Sequence, residues 1–327
     1  MRAYIIRRLL LTIPTLFVVT LVIFFGIRII PGDLIDIMIS EMGTSIGEIG
    51  RADIEKELGL DVPIFIQYGR WIGVVPNAEG LVNGLLQGDL GNSLWTKSPV
   101  SYEITPRWPV TLELGIMGMI ISILIAMPIG ILSAVRQNSW GDHLGRSFAV
   151  TTMSVPDFWL GTMVVVFPSI WWAWSPPLII TRFTEDPIEN LQMFLIPAIV
   201  LGITFTGVLM RLTRTAMLDV LRQDYIRTAW SKGLRERVVI IRHGLKNALI
   251  PVVTLIGMRV PILIGGTVII ERIFGLPGLG RLLVDNVTLR DYPIVTAVSL
   301  LYAIITLLSN LVVDLTYGFL NPKIRYN

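Results

Sequence analysis

Six apolar stretches dominate this sequence: residues 9–30, 112–135, 148–174, 193–212, 248–270 and 294–317. A helix needs roughly 20 mostly apolar residues to cross about 30 Å of hydrocarbon, and each run has about that length. The chain therefore reads as all-α, a polytopic membrane protein with six transmembrane helices, forming a single transmembrane domain over residues 1–327. Composition agrees, at 53% hydrophobic and 16% charged, where a soluble domain carries about a quarter charged residues. The fourth run is the shortest and begins near Pro197, so its ends are soft. No fixed-period repeat or low-complexity segment interrupts the pattern.

Arg2, Arg7 and Arg8 precede the first run, as they would in a signal peptide. The run exceeds the roughly 7–15 residues of a signal core, and Pro31-Gly32-Asp33 follows it in place of a small-x-small cleavage site. An uncleaved first helix is expected.

The net charge is +3, and the basic residues sit in short segments between apolar runs, as topology signals do. No nucleic-acid partner is expected from them. One side collects Arg2, Arg7, Arg8, Arg136, Arg146, the long segment 211–246, and Lys323 and Arg325, with few acids (Asp142, Asp219, Asp224, Glu236, and Asp314 at the edge). The other side carries Asp33, Asp36, Glu41, Glu48, Asp53, Glu55, Glu57, Asp61, Glu79, Asp89, Glu103, Glu185, Asp186 and Glu189. Both termini are thus expected in the cytoplasm, which six crossings require. Cysteine is absent, so no disulfide or thiolate metal site forms.

Residues 31–109 form the external segment. Ile54, Leu58 and Ile66 alternate with charges near 53–60, suggesting a short amphipathic helix. Tyr68, Trp71, Trp95 and Trp108 are aromatics of the kind that sit at headgroup level. An interfacial cap sealing the bundle and a docking surface for an external partner are both open.

The segment 211–246 is too long for a simple connection and holds Arg211, Arg214, Arg222, Arg227, Lys232, Arg235, Arg237, Arg242 and Lys246. Within it, 221–233 reads as a short helix. Leu221, Tyr225 and Ala229 fall at i, i+4, i+8, with Ile226, Trp230 and Gly233 on the neighbouring face. Gly233 is a natural C-terminal stop, and a second helical stretch leads through Val238, Ile241, Leu245 and Leu249 to Pro251. Such a helix can lie on the anionic leaflet, or it can seat in a cytosolic partner and pass force to the helices it joins.

Arg227-Thr228-Ala229, then Gly233, then Ala248-Leu249-Ile250-Pro251, resembles the EAA loop of ABC importer permeases, with Arg227 in place of the Glu and Thr228 in place of the first Ala. The form Tyr225-x-Arg227-Thr228-Ala229-x-x-Lys232-Gly233-Leu234, with Arg242-His243 and Asn247-Ala248-Leu249 after it, is similar to the oligopeptide/dipeptide/nickel branch. Further resemblances to that branch run along nearly the whole chain. Arg7-Arg8-Leu9 through Ile13-Pro14 and Arg28-Ile29-Ile30-Pro31-Gly32-Asp33 look like its N-terminal signature. Leu58-Gly59-Leu60-Asp61-x-Pro63 and Gly88-Asp89-Leu90-Gly91-x-Ser93 look like its external segment. Glu271-x-x-Phe274-Gly275-Leu276-Pro277-Gly278-Leu279-Gly280, with Asp291-Tyr292-Pro293, looks like its last external loop. Residues 74–80 are extra relative to that pattern.

The resemblance implies a permease subunit in the inner membrane of a prokaryote, in a heterodimer with a paralogous permease. It also implies two cytoplasmic ATPase subunits beneath and an extracytoplasmic substrate-binding protein above. Residues 211–246 would be the coupling loop, with Leu221, Tyr225, Arg227, Thr228, Ala229 and Gly233 as ATPase-coupling positions. It implies alternating access, with no cofactor in this chain and ATP and magnesium in the partner ATPases. The cargo it suggests is a peptide; relatives of the branch also carry nickel or oligosaccharides.

Other chemistries lack a constellation. Gly275-x-x-x-x-Gly280-Arg281-Leu282 has phosphate-loop glycine spacing without its Lys or its Ser/Thr. His143 and His243 have no metal-ligand spacing, and no Gly-x-Ser-x-Gly elbow exists. An intramembrane enzyme therefore lacks residues, and an ion channel lacks a filter-like run. A non-transporting membrane assembly protein shares the topology. Two charges fall deep within the apolar runs: Asp157, about ten residues into the third, and Arg259, about twelve into the fifth, each roughly 15–18 Å deep along a straight helix. They are candidates for the translocation path, contacting the charged ends of a peptide. Alternatively Ser154 and Pro156 break the helix and Asp157 caps the restarted turn, while Arg259 joins a structural salt bridge.

Overall fold

The computed structural model describes residues 2–29, 55–56, 59–77, 80–177 and 180–320. Among them there is no strand, only an isolated bridge between Asn92 and Pro99. The helices are α1 (Arg2–Arg28), α2 (Ile64–Ile72), α3 (Val100–Ile104), α4 (Trp108–Val135), α5 (Trp140–Ser154), α6 (Asp157–Trp172), α7 (Pro187–Leu221) and α8 (Asp224–Ser231). They continue as α9 (Glu236–Phe274), α10 (Leu279–Leu289) and α11 (Tyr292–Leu320). The amphipathic helix expected near 53–60 and the Pro31-Gly32-Asp33 signature lie largely or wholly outside the described residues.

Among the described residues, five helical stretches are long and apolar enough to cross a membrane: those of α1, α3–α4, α7, α9 and α11. The pair α5 and α6 makes a sixth if it is counted as one span. The expected straight run 148–174 is thus corrected: it is two helices bent by 91°. The cause is local. Val155 precedes Pro156, whose ring disfavours the α region for its neighbour, and Val155 is extended at φ −91°, ψ 119°. The fourth run is corrected too, since α7 spans 35 residues. Asp186 caps it, accepting from the Ile188 and Glu189 N–H groups at 2.9 and 3.1 Å, and Pro187 is preorganised for the first position. At the other end the helix runs on past residue 212 to Leu221.

The chain divides into two compact units. The first holds Val110–Gly280 with the terminal segments, and the second Leu10–Pro109 with Arg281–Ile304. In the first, Phe194, Ala198, Leu201, Phe205, Leu209 and Met210 of α7 are buried. Between helices in lipid no hydrophobic effect drives contact, so small residues admit close backbone packing. A Cβ on Gly202 of α7 would fall on the Gly118 carbonyl oxygen of α4, and one on Gly207 would stand 2.6 Å from the Ala149 carbonyl oxygen of α5.

In the second unit, Phe24 of α1 is buried against Tyr68 and Trp71 of α2, with ring centroids 5.2 and 5.5 Å away. The Arg28 guanidinium lies 3.5 Å over the Phe24 ring. Two sequence motifs far apart in the chain meet here. The Ser93 hydroxyl donates to the buried Asp291 carboxylate at 2.5 Å, and the Trp95 indole N–H donates to the Leu289 carbonyl at 2.8 Å.

Candidate functional site: a loop helix and two buried carboxylates

The segment between α7 and α9 folds around α8. Leu221 ends α7 instead of opening the loop helix, and α8 itself is Asp224–Ser231. Its buried face is Ile226 and Ala229, packed with Val239 and flanked by Val220 and Leu221. Tyr225 and Trp230, expected on apolar faces, are 43% and 47% exposed. The reason is that only an i, i+3 pair reaches Val239, and the rest of so short a helix faces away. The Tyr225 hydroxyl still accepts from Asn247 Nδ2 at 2.8 Å, fastening α8 to α9. Thr228 is exposed, its hydroxyl returned to the Asp224 carbonyl at 3.0 Å. Arg227 pairs with Asp224 at 3.6 Å with both side chains open to solvent, an arrangement that contributes little.

Gly233 takes φ +72° and its N–H bonds the Trp230 carbonyl at 2.9 Å, so it is the left-handed stop the sequence suggests. The chain then enters α9, which carries a π-helical segment, Val239–Leu245, near its start, a form often found at functional positions. Leu234, Val238 and Ile241 are exposed too. Arg222, Arg235 and Arg237 of the same segment are exposed as well. The loop thus leaves aromatic, apolar and arginine side chains exposed between residues 222 and 241.

Two fully buried carboxylates in this unit escaped the sequence reasoning. Asp142, on α5, receives Arg214 of α7 in a two-point ion pair, Nε to Oδ1 at 2.7 Å and Nη2 to Oδ2 at 2.8 Å. Its one signal in the sequence was its position as an acid on the basic side. Glu271, near the C-terminal end of α9, accepts from the Thr111 hydroxyl at 2.7 Å. That hydroxyl in turn accepts from the Leu279 N–H at 2.8 Å. Gly278 lies directly against the Glu271 carboxylate, leaving no room for a side chain. The Glu271–Gly280 motif is therefore a clasp that folds the end of α9 back onto the start of α4.

Asp157 stands in the first turn of α6, where its Oδ1 accepts the Phe158 N–H at 2.8 Å. The depth counted along a straight helix does not apply beyond a 91° bend. Arg259 is half-buried in α9 with its guanidinium 5.9 Å from the Phe205 ring centroid. The two do not pair with each other, and among the described residues no group of three or more His, Cys, Asp or Glu could hold a metal.

Solved structures of ABC transporters share this helical membrane fold. The MetNI methionine ABC transporter in inward-facing form matches at a TM-score of 0.54 and 16% identity, over 67% of this chain and 97% of that one. An amino acid ABC transporter crystallised with histidines matches at 0.53 and 14%, over 67% and 94%. At the sequence level, residues 126–326 match the family described as binding-protein-dependent transport system inner membrane component, and residues 1–115 match the N-terminal family of the same membrane components. Among similar proteins, the glutathione transport system permease protein GsiC of Salmonella paratyphi A is 40% identical over 99% of both chains. The dipeptide transport system permease protein DppB of Escherichia coli strain K12 is 41% identical over 100% of this chain and 99% of its own. The chain belongs to the binding-protein-dependent transport system inner membrane component family. It is a multi-pass permease subunit of an importer and not an enzyme.

Proposed function

We propose that this permease moves small peptides inward by alternating access, with α8 as the element that docks into a cytoplasmic ATPase. In this reading both termini are cytoplasmic and the partner is a paralogous permease. Two ATPase subunits hydrolyse ATP with magnesium, and an external binding protein delivers cargo. The observation that carries it is the build of α8: Ile226 and Ala229 anchor it to its own chain while Tyr225, Trp230 and Arg227 are left outward. Aromatic and arginine side chains of that kind dominate protein interfaces. Peptide cargo is supported by the similarity, along the full length, to permeases named for glutathione and dipeptides. Asp157 and Arg259 supply opposite charges suited to the two ends of a peptide, if both face the path.

The test is purification of the assembled importer from native membrane with its binding protein, and mass spectrometry of the ligand retained. Di- to oligopeptides, with uptake of the same species by reconstituted vesicles, are the expected result. Retention and uptake of oligosaccharide or nickel would overturn the peptide assignment, and a complex without any ATP-dependent uptake would overturn the transport reading.

A further inference from the structure

The geometry points to Asp142 and Arg214 as positioning residues for coupling: their buried ion pair fixes α5 to the part of α7 that leads into α8, so α8 moves α4, α5 and α7 as one body. This rests on the reading of α8 as the docking element.

Arg214 lies two turns before Leu221, the last residue of α7, and only Arg222 and Gln223 separate that helix from α8. A displacement of α8 therefore crosses only this two-residue joint before it reaches Arg214 through continuous helix. At Arg214 the guanidinium holds both oxygens of Asp142, and the Asn138 N–H donates to Oδ2 at 3.0 Å. Arg146 approaches Oδ1 at 3.6 Å. Asp142 is 0% exposed and the Arg214 side chain 16%. A two-point guanidinium–carboxylate contact fixes orientation as well as distance, so α5 can neither slide along α7 nor turn about it without breaking the pair.

The packing above the pair is equally intolerant of sliding. A Cβ on Gly130 of α4 would meet the Met210 carbonyl oxygen and Thr213 Cβ at 2.9 Å. Gly207 admits α5 in the same way. The other exit from α8 is built differently, leading into α9 with the π-helical segment Val239–Leu245 near its start. Apolar residues would serve as well for stability, since a buried ion pair gains little over them. What the pair adds is register between two helices at the point where force enters.

The test uses the complete importer in liposomes, with binding protein and a dipeptide as the transported probe. Assembly, basal ATPase, stimulation by loaded binding protein, and uptake per ATP are measured for Asp142→Asn, Arg214→Lys and Gly233→Val. Arg214→Lys keeps the charge and removes the two-point contact. The expected result is intact assembly and basal hydrolysis, with uptake per ATP down by about tenfold in Asp142→Asn and several-fold in Arg214→Lys. A merely structural pair would not move that ratio. If Arg214→Lys assembles and couples as the unsubstituted chain does, the inference is overturned. Failure of both variants to assemble makes the pair structural and overturns it as well. Gly233→Val separates the two ideas. If it uncouples while Arg214→Lys does not, only this inference fails; if it too is without effect, the docking reading of α8 has failed and the inference loses its ground.

Discussion

Gly233 offers a substitution series whose order follows from backbone conformation alone. Its φ is +72°, and a Cβ built there meets nothing within 4 Å. Any cost in this chain is therefore conformational and not steric. An L-residue in the left-handed region costs roughly 1–2 kcal/mol, Asn less because its side chain bonds locally, and a β-branched residue is a genuine outlier there. At about 1.4 kcal/mol per decade, the population of the native turn falls about 5- to 30-fold relative to alternatives in which α8 ends differently. The helix itself should survive, because Ile226 and Ala229 hold it from the buried side. Gly233→Asn, Gly233→Ala and Gly233→Val should therefore assemble alike, while ATPase stimulation by loaded binding protein declines in that order. Equal stimulation across all four proteins would refute the strain argument. Asn as damaging as Val would show that side-chain bulk matters, and hence that a partner covers the position.

Gly202→Ala should cost about 3 kcal/mol, the upper end of overpacking, because the new methyl meets the Gly118 backbone, which has no rotamer to adopt. Gly26→Ala, with open space around it, should be neutral or up to about 1 kcal/mol stabilising; thermal unfolding of the two purified variants checks the contrast, and similar midpoints would contradict it. Ser93→Ala should destabilise by about 1.5–3 kcal/mol, the worth of a hydrogen bond to a charged group, and expose the segment around Trp95 to proteolysis. Asp157→Asn should lower peptide uptake with assembly and basal ATPase intact; unchanged uptake removes it from the path.

The crossings were legible because a window of about 20 apolar residues has one physical use. Hydropathy is blind to direction, however, so the 91° turn between α5 and α6 was not visible in it, although Pro156 marked the place. Nor does hydropathy show where a helix stops once it leaves lipid, which is how α7 ran nine residues past the end of the apolar run at 212. The stop at Gly233 was readable from one residue, since a single φ decides it. The buried face of α8 was not. Leu221, Tyr225 and Ala229 are spaced as a helical stripe, yet burial is decided by Val239, which arrives from the π-helical segment. Pairs such as Ser93 with Asp291 are separated by 198 residues, and no local pattern announces them.

The charges within the apolar helices fall into two energetic classes, and the difference bears on Arg259. Glu271 is sealed among its hydrogen bonds, as a structural charge must be. Arg259 is half-buried, and among the described residues its guanidinium has no hydrogen bond or ion pair, only the Phe205 ring at 5.9 Å. A cation–π contact contributes about 0.5–2 kcal/mol, against at least about 2.5–3.5 kcal/mol for an arginine at the centre of a lipid-facing helix. The contact does not offset the cost, so the exposed part of the guanidinium belongs in water, against a carboxylate, or against another protein chain. A hydrated path that receives a peptide carboxylate meets the first two conditions together. Arg259→Leu distinguishes this from a lipid-facing position, because leucine would relieve a misplaced charge and raise stability by about 2 kcal/mol or more without changing uptake. If Arg259 lines the path, Arg259→Leu instead abolishes uptake, and Arg259→Gln, which retains hydrogen-bond donors, keeps part of it. A stabilised Arg259→Leu complex with full uptake would end the path assignment.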